Sequence, residues 1–305
     1  MSCVAQRGGA LSAEFLCAGS LGLIGKMGIM GCAPQAGTTD DRAPDLSDLL
    51  DAGPIQASDA GTAADAGSGG GQDASAPATQ AQRYAMKAVS AIQQRNPSPL
   101  GNEEVQVVTT QYMLLDAERL GDRLTWDETL CSISTSEARY RFGIRASTSY
   151  PDAFVVHFPV FERQAEWTED GEFQAGPYAS VVGAQLNNPL TDPLPTEAGA
   201  AGEVDSDQDG NPGVTVNVGG AVSGSVYVAQ RSVINLRGRE RDNGRVEGFW
   251  QAADEQVVLE ASSDILKTTV ERRRDPDAET SYFVMVPIED NWACREINDA
   301  VDELF

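Results

Sequence analysis

The sequence predicts a mainly β fold, an antiparallel barrel or sandwich with a C-terminal helix, preceded by a disordered tether. Beyond residue 82, apolar and polar residues alternate in short runs that are rich in β-branched and aromatic side chains. Turn sequences such as Asp242-Asn243-Gly244 separate these runs, as expected for antiparallel hairpins. We therefore divide the chain into a signal peptide (1–31), a linker (32–82) and one β-rich domain (83–305).

The signal peptide is an apolar stretch that ends at a cysteine. Residues 10–31 are mostly apolar or small, although Glu14 and Lys26 interrupt them. The stretch closes on Ile29-Met30-Gly31-Cys32, which resembles the lipobox of bacterial lipoproteins. The resemblance implies cleavage before Cys32 and a diacylglyceryl group on its thiol, which would anchor the protein to a membrane.

The residue after the anchor cysteine bears on location. Ala33 stands where some bacterial lipoproteins carry the aspartate that retains them at the inner membrane. The resemblance therefore implies an outer-membrane or cell-surface location. A signal cleaved elsewhere would give a secreted protein instead, and this alternative stays open.

The linker has the composition of a flexible spacer. Between residues 33 and 82 the chain has eight Asp, one basic residue (Arg42) and no aromatic residue, among many Ala, Gly, Ser, Thr and Pro. Such a segment cannot bury enough apolar surface to offset the entropy lost on ordering. We expect it to hold the domain away from a membrane surface.

The charge of the chain restricts its partners. Lys and Arg number 22 against 46 Asp and Glu, which gives a net charge of −24. A field of this sign repels phosphate backbones, so nucleic acid is excluded as an expected partner, whereas a protein or small-molecule ligand stays open. Two arginine clusters, 237–241 and 272–274, are expected at hairpin ends that face an acidic surface.

The cysteines predict one disulfide. Cys3, Cys17 and Cys32 lie in or at the end of the signal peptide, so Cys131 and Cys294 are the two that the exported domain retains. Two cysteines in an exported domain favour a bond between them. Two separate buried thiols are the alternative.

The predicted strands cover most of the domain. Residues 104–116 and 123–134 form a hairpin in which Leu124, Trp126, Glu128 and Leu130 share one side. The segment 84–94 fits strand and helix periodicity, and we favour strand. Further strands are expected at 139–144, 153–158, 165–168, from 173 onwards, 179–186, 214–218, 224–236, 245–251, 256–261 and 281–286.

Two segments depart from this strand pattern. Residues 187–203 are rich in Pro, Gly and Ala, which predicts a surface loop. From about Asp290, the residues Trp292, Ile297 and Val301 can line one face of a helix, with Leu304 or Phe305 completing it.

An acidic loop carries the metal chemistry of the sequence. Asp205, Asp207 and Asp209 alternate before Gly210, and the backbone carbonyl of Asn211 follows at the seventh loop position. The pattern resembles the DxDxDG calcium loops of EF-hands, dockerins and integrin-type propeller repeats. Hard oxygen donors without His or Cys select Ca²⁺ over transition metals, so we predict a structural calcium site.

The loop also departs from those families. An EF-hand has Glu at position 12, where this chain has Val216, and the propeller repeats usually have Asp at position 9, where it has Gly213. One ligand is therefore missing unless Glu203, another loop or water supplies it. A solvated acidic turn without an ion is the alternative.

Evidence for an enzyme is weak. His157 is the only histidine and lies among apolar residues, which is typical of a structural histidine. The motifs of serine hydrolases, zinc proteases and P-loop proteins are absent from the sequence. We therefore expect a non-enzymatic envelope or surface lipoprotein, with a domain that binds a ligand or has a structural role. The alternative is a carboxylate-dependent hydrolase that acts on envelope or extracellular polysaccharide.

Overall fold

The structure is a computed structural model that describes residues 80–96, 103–267 and 271–305. Its strands are β1 (Gln80–Asn96), β2 (Glu103–Leu120), β3 (Arg123–Thr135), β4 (Ala138–Arg139), β5 (Arg145–Ser149), β6 (Phe161–Trp167), β7 (Glu172–Val182), β8 (Val214–Gly220), β9 (Gly224–Glu240), β10 (Val246–Ala261), β11 (Glu271–Arg274) and β12 (Tyr282–Ile288). The helices are α1 (Asp152–Val156), α2 (Cys294–Asp299) and α3 (Val301–Leu304), and 3₁₀ turns occur at Arg141–Gly143, Asp264–Lys267 and Ala278–Thr280.

Eight strands close an antiparallel barrel in the order in which they occur along the chain. In the sequence β1, β2, β3, β6, β7, β9, β10, β12, each strand pairs with the next, and β12 pairs with β1 to complete the ring. Closure gives each of these strands a hydrogen-bonded neighbour on both sides, although not over its full length. The sequence left barrel and sandwich open, and the structure shows a barrel.

The remaining strands extend the wall at one end. β8 pairs with β9, β5 with β8 and β4 with β5, while β11 pairs with the last residues of β1. β6 pairs with β3 only over residues 123–128, and β7 ends at Val182, so these two strands cover only part of the barrel height. The helix α1 contacts β3 at the end of the barrel that is opposite the hairpin turns.

The opposite rim, which we call the hairpin end, is formed by the turns at 121–122, 168–171 and 241–245. Side chains alternate between interior and exterior along each strand, and the inward ones fill this half of the barrel. The largest fully buried side chains there are Tyr84, Met86, Leu115, Leu124, Trp126, Phe173, Leu236, Phe283 and Met285. The hairpin end is therefore a packed core.

A second cluster covers the outside of the barrel. Ile297 of α2 packs on Ala85 and Leu114, which point outward from β1 and β2. A disulfide joins Cys131 on β3 to Cys294 at the start of α2, with 4.9 Å between the Cα atoms and 163 residues between the two positions. The predicted disulfide is confirmed, and it holds the C-terminal segment against the wall.

The strand predicted at 153–158 is wrong, because this segment contains α1. Pro151 precedes the helix in an extended conformation, and only Phe154 of the helix is buried. His157 lies at the C-terminal end of α1 with an exposed side chain, so it is not a core residue. A helix of five residues is too short to display a helical period in the sequence.

Several boundaries also differ from the prediction. The strands expected at 245–251 and 256–261 form the single strand β10, and those expected from 173 and at 179–186 form β7. Of the strand expected at 139–144, only Arg139 lies in a strand, β4 (Ala138–Arg139). The C-terminal helix is divided at Ala300 into α2 and α3. The interruption predicted within β10 has a structural reason: Asp254, a polar residue of this strand, faces the barrel interior.

Candidate ligand-binding cavity

The barrel interior opens into a cavity in the half away from the hairpin end. The cavity has a volume of about 130 Å³ and lies between the strands and α1. Its polar lining residues include Ser90, Thr109, Gln111, Glu128, Tyr150, Ser180, Ser232, Asp254 and Arg272. Eight-stranded barrels are at the size where the interior is either filled by side chains or leaves room for one small ligand, and this barrel is filled in one half and hollow in the other.

Glu128 supplies a carboxylate to this cavity. It points inward from β3, two residues beyond the core residue Trp126, and only 4% of it is exposed. Its Oε2 atom is buried and has no hydrogen-bond partner among the described residues. Burial raises the pKa of Glu128, and the nearby positive charge of Arg163 lowers it by less. A buried acceptor without a partner is a costly arrangement that a donor on a ligand would relieve.

Arg163 lies behind this carboxylate, on β6. Its guanidinium stacks between the rings of Phe161 and Tyr178, at 4.4 and 4.1 Å from their centroids. It donates hydrogen bonds to Ser180 Oγ at 2.6 Å and to the carbonyl of Ala179 at 3.3 Å. Burial lowers the pKa of Arg163, although the charge of Glu128 opposes this shift. These contacts fix the position of the Arg163 guanidinium. Its positive charge partly offsets the negative charge of Glu128 without a salt bridge between the two side chains in the described part of the chain.

A second polar group lies farther along the cavity wall. Asp254 on β10 accepts a hydrogen bond from Ser232 Oγ at 2.5 Å, and Arg272 on β11 donates one to Gln256. Burial raises the pKa of Asp254, while Ser232 and Arg272 lower it. Protein atoms surround Asp254. Its side chain nevertheless has solvent-accessible surface, because that surface faces the cavity.

Aromatic and aliphatic side chains complete the cavity. The ring centroids of Tyr150 and Phe154 are 4.6 Å apart, and those of Phe154 and Phe158 are 5.3 Å apart. These rings cover the cavity from the side of α1, while Ile234 and Trp250 contribute apolar surface from β9 and β10. The cavity thus combines apolar walls with a few fixed polar groups, as small-molecule sites usually do.

Sequence reasoning missed most of this site. Glu128 had a signal, because it shares the inward face of β3 with Leu124 and Trp126. Asp254 had none, since an inward polar residue interrupts the apolar alternation of β10. Arg272 was expected in an arginine cluster at a hairpin end, but it lines the cavity, which corrects that interpretation for this residue.

The residues predicted to bind a metal lie elsewhere, in the loop between β7 and β8. One carboxylate oxygen from each of Asp205, Asp207 and Asp209 lies within 4.8 Å of the other two. Asn211 donates its backbone N–H to Asp209 Oδ1 at 2.9 Å. The predicted lipidation site, Cys32, and the linker up to residue 79 lie outside the described residues.

Fold and site together define an eight-stranded up-and-down β-barrel with an internal cavity lined by charged side chains. No protein-family model matches the chain, and no curated protein shows significant similarity to it. Within residues 80–96, 103–267 and 271–305, no helix is long and apolar enough to span a membrane.

Proposed function

We propose that this protein is a non-enzymatic lipoprotein of the bacterial envelope or surface, and that its barrel binds a small molecule in the cavity. The observation that carries the binding proposal is the Glu128 carboxylate, which is 4% exposed at the edge of the cavity and whose Oε2 atom has no partner among the described residues. Proteins usually satisfy buried polar atoms, and a water molecule, an ion or a ligand is often the partner of an atom that the protein leaves unpaired. A ligand donor is the partner that fits.

The size of the cavity limits the ligand. A cavity of about 150 Å³ holds a benzene-sized molecule, so this cavity of about 130 Å³ holds no more than one small ring, and a short substituent would extend through its open side. The apolar walls favour a hydrophobic body, and Glu128 favours an amine or hydroxyl group at one end. A small amphipathic amine or alcohol meets both requirements.

The barrel topology is compatible with a lipid anchor that precedes β1 and a cavity at the other end of the barrel. The linker enters the barrel at the start of β1, and Gln80 pairs with Arg119 at the hairpin end. The cavity is lined by later residues of β1, such as Ser90. A lipid anchor at Cys32 would therefore join the barrel at the end away from the cavity.

The binding proposal is tested by calorimetric titration with three ligands of one shape: benzylamine, benzyl alcohol and benzoate. For about eight non-hydrogen atoms we expect a benzylamine dissociation constant of about 0.1 to 1 mM. Benzyl alcohol should bind more weakly, and benzoate should not bind because Glu128 repels it.

The matched variants are Glu128→Gln and Glu118→Gln, since Glu118 is exposed on the outside of β2. Glu128→Gln keeps an acceptor but loses the charge, so benzylamine affinity should fall about 10- to 100-fold while benzyl alcohol affinity changes little. Glu118→Gln should bind like wild type. Equal binding of benzylamine and benzoate, or an unchanged Glu128→Gln variant, would refute the proposal.

The anchor is tested separately by intact mass. Protein from the membrane fraction of an expressing bacterium should begin at Cys32 and carry acyl chains, and Cys32→Ala should abolish both. Cys17→Ala, in the same leader, is the control and should process normally. An unmodified mass for the wild type contradicts the anchor and leaves the cavity proposal standing.

One observation favours a second candidate, the polysaccharide hydrolase. Glu128 and Asp254 both line the cavity, together with Trp250 and Tyr150, and a pair of carboxylates beside aromatic rings is the equipment of many glycosidases. A cavity of about 130 Å³ is small for a sugar chain. Release of reducing ends from bacterial envelope polysaccharide, lost in Glu128→Gln and in Asp254→Asn but retained in Glu118→Gln, would support this candidate over simple binding.

A further inference from the structure

The loop between β7 and β8 brings three carboxylates together outside the cavity. Asp205 accepts backbone hydrogen bonds from Asp209 at 3.2 Å and from Gly210 at 2.9 Å. Asp209 accepts one from Thr215 Oγ1 at 2.5 Å in addition to that from Asn211. These bonds place one oxygen of each aspartate within 4.8 Å of the others.

Asp207 is the unusual member of this cluster. Only 1% of it is exposed, and its Oδ2 atom accepts a hydrogen bond from the backbone N–H of Thr215 at 2.8 Å. Its Oδ1 atom is buried and has no hydrogen-bond partner among the described residues. A buried carboxylate oxygen needs a donor or a cation, and the described part of the chain places neither within bonding distance of this atom.

The charges around Asp207 act in the same direction. None of the ion pairs within the described ranges involves Asp205, Asp207 or Asp209. One carboxylate oxygen of each aspartate lies within 4.8 Å of the other two, which crowds three negative charges. A divalent cation would neutralise this crowding.

We infer that this loop binds a calcium ion through one carboxylate oxygen each from Asp205, Asp207 and Asp209, with Oδ1 of Asp207 as the buried ligand. Oxygen donors without nitrogen or sulfur select Ca²⁺ or Mg²⁺, and a site that draws several carboxylates from one flexible loop fits the larger ion. The backbone carbonyl of Asn211 and water complete the coordination.

The ion would act as a clamp on the start of β8. Asp207 and Asp209 both accept hydrogen bonds from Thr215, the second residue of that strand. The backbone of the loop is closely packed here, because a Cβ at Gly213 would lie 2.4 Å from the carbonyl oxygen of Val228 on β9. Fixing the aspartates therefore fixes the junction between the loop and the barrel wall.

The test compares thermal unfolding of the full chain in EDTA and in 10 mM CaCl₂. With a dissociation constant of about 0.5 mM, typical of extracellular calcium modules, mass action predicts that calcium raises the Tm of the wild type by about 4 °C. Asp207→Asn should lose this shift. Asp170→Asn, in the exposed turn between β6 and β7, should keep it.

A second measurement guards against misfolding. Asp207→Asn removes a negative charge that its neighbours repel, so in EDTA the Tm of the variant should equal or exceed that of the wild type. Equilibrium dialysis with ⁴⁵Ca should then show one bound ion in the wild type and none in the variant. Absence of a calcium-dependent shift in the wild type, or a shift that persists in Asp207→Asn, overturns the inference. The benzylamine titration does not involve this loop, so the two proposals can fail independently.

Discussion

Glu128 and Arg163 lie on paired strands and each charge shifts the pKa of the other, yet within the described part of the chain no salt bridge joins them. Arg163 instead bonds to Ser180 and Ala179 and stacks on two rings. The carboxylate is thus buried near a positive charge and beside the Trp126 side chain, which also lowers its pKa, and its Oε2 atom has no direct partner among the described residues. This arrangement leaves Glu128 available to a ligand, and it has a cost in stability.

That cost predicts the effect of Glu128→Gln on the unfolding free energy. The pKa of Glu128 is raised above its ordinary value of 4.5, so the folded state favours the protonated form, and this stabilisation is lost as pH rises through the folded-state pKa. At pH 7 the neutral variant should be more stable than wild type by about 1 kcal/mol. The difference should shrink towards zero near pH 4.

Urea unfolding at both pH values checks this prediction. Glu118→Gln serves as the surface control and should match the wild type at either pH within about 0.5 kcal/mol. A Glu128→Gln variant that is less stable than wild type at pH 7 would mean that attraction to Arg163 outweighs burial.

The packed hairpin end predicts a contrast between two leucines. Leu236 is fully buried in the barrel core, whereas Leu120 is about half exposed at a turn. Leu236→Ala should lower the unfolding free energy by about 2 to 5 kcal/mol, because it removes buried methyl groups and leaves a void. Leu120→Ala should change it by less than about 0.5 kcal/mol, and chemical denaturation of both variants measures the difference.

The disulfide predicts a large loss on removal. Cys131 and Cys294 are 163 residues apart, so their bond restricts most of the unfolded domain. The Cys131→Ser, Cys294→Ser double variant should be less stable by up to about 5 kcal/mol, the ceiling that chain entropy sets for such a loop. Wild type unfolded in the presence of a reductant should show the same loss, and a smaller loss in the variant would indicate relief by repacking around Ile297.

Close approach of β9 and β10 predicts that one glycine cannot be replaced. Gly248 is paired with Gly238, and a Cβ at Gly248 would lie 2.0 Å from the carbonyl oxygen of Arg237. Gly248→Ala should lower stability by about 1 to 3 kcal/mol or more, because backbone must shift. Gly171→Asn is the control, since Gly171 has a φ of +75°, which Asn tolerates, and no atom lies within 4 Å of its Cβ position. Thermal unfolding of both variants separates these outcomes.

Alternation along β3 shows how much of the fold could be predicted. The residues Leu124, Trp126 and Glu128 share one face in the sequence and point into the barrel in the structure. Pattern alone thus placed a carboxylate inside, although it could not reveal a cavity there. The cavity exists because strands and a short helix that are distant in sequence meet around Glu128. Contacts between distant segments produce no pattern in the local sequence.

The other parts of the site show the limits of periodicity. Asp254 faces inward in a strand whose apolar alternation it interrupts, so the sequence predicted a break where the strand continues. In the loop between β7 and β8, the spacing of Asp205, Asp207 and Asp209 was visible in the sequence. The burial of Asp207 was not, because it depends on packing between the loop and β8.

The order of strands in the barrel has a consequence for how the domain folds. Seven of the eight strand pairings in the ring join neighbours in that order. Four of them (β1–β2, β2–β3, β6–β7 and β9–β10) are hairpins with short loop closures, whereas longer connections join β3 to β6, β7 to β9 and β10 to β12. The pairing of β12 with β1 joins the two ends of the domain, and Arg83 meets Ile288 there. This seam should form last, and because both ends meet at one rim, a circular permutant that links them and opens another hairpin should assemble the same barrel.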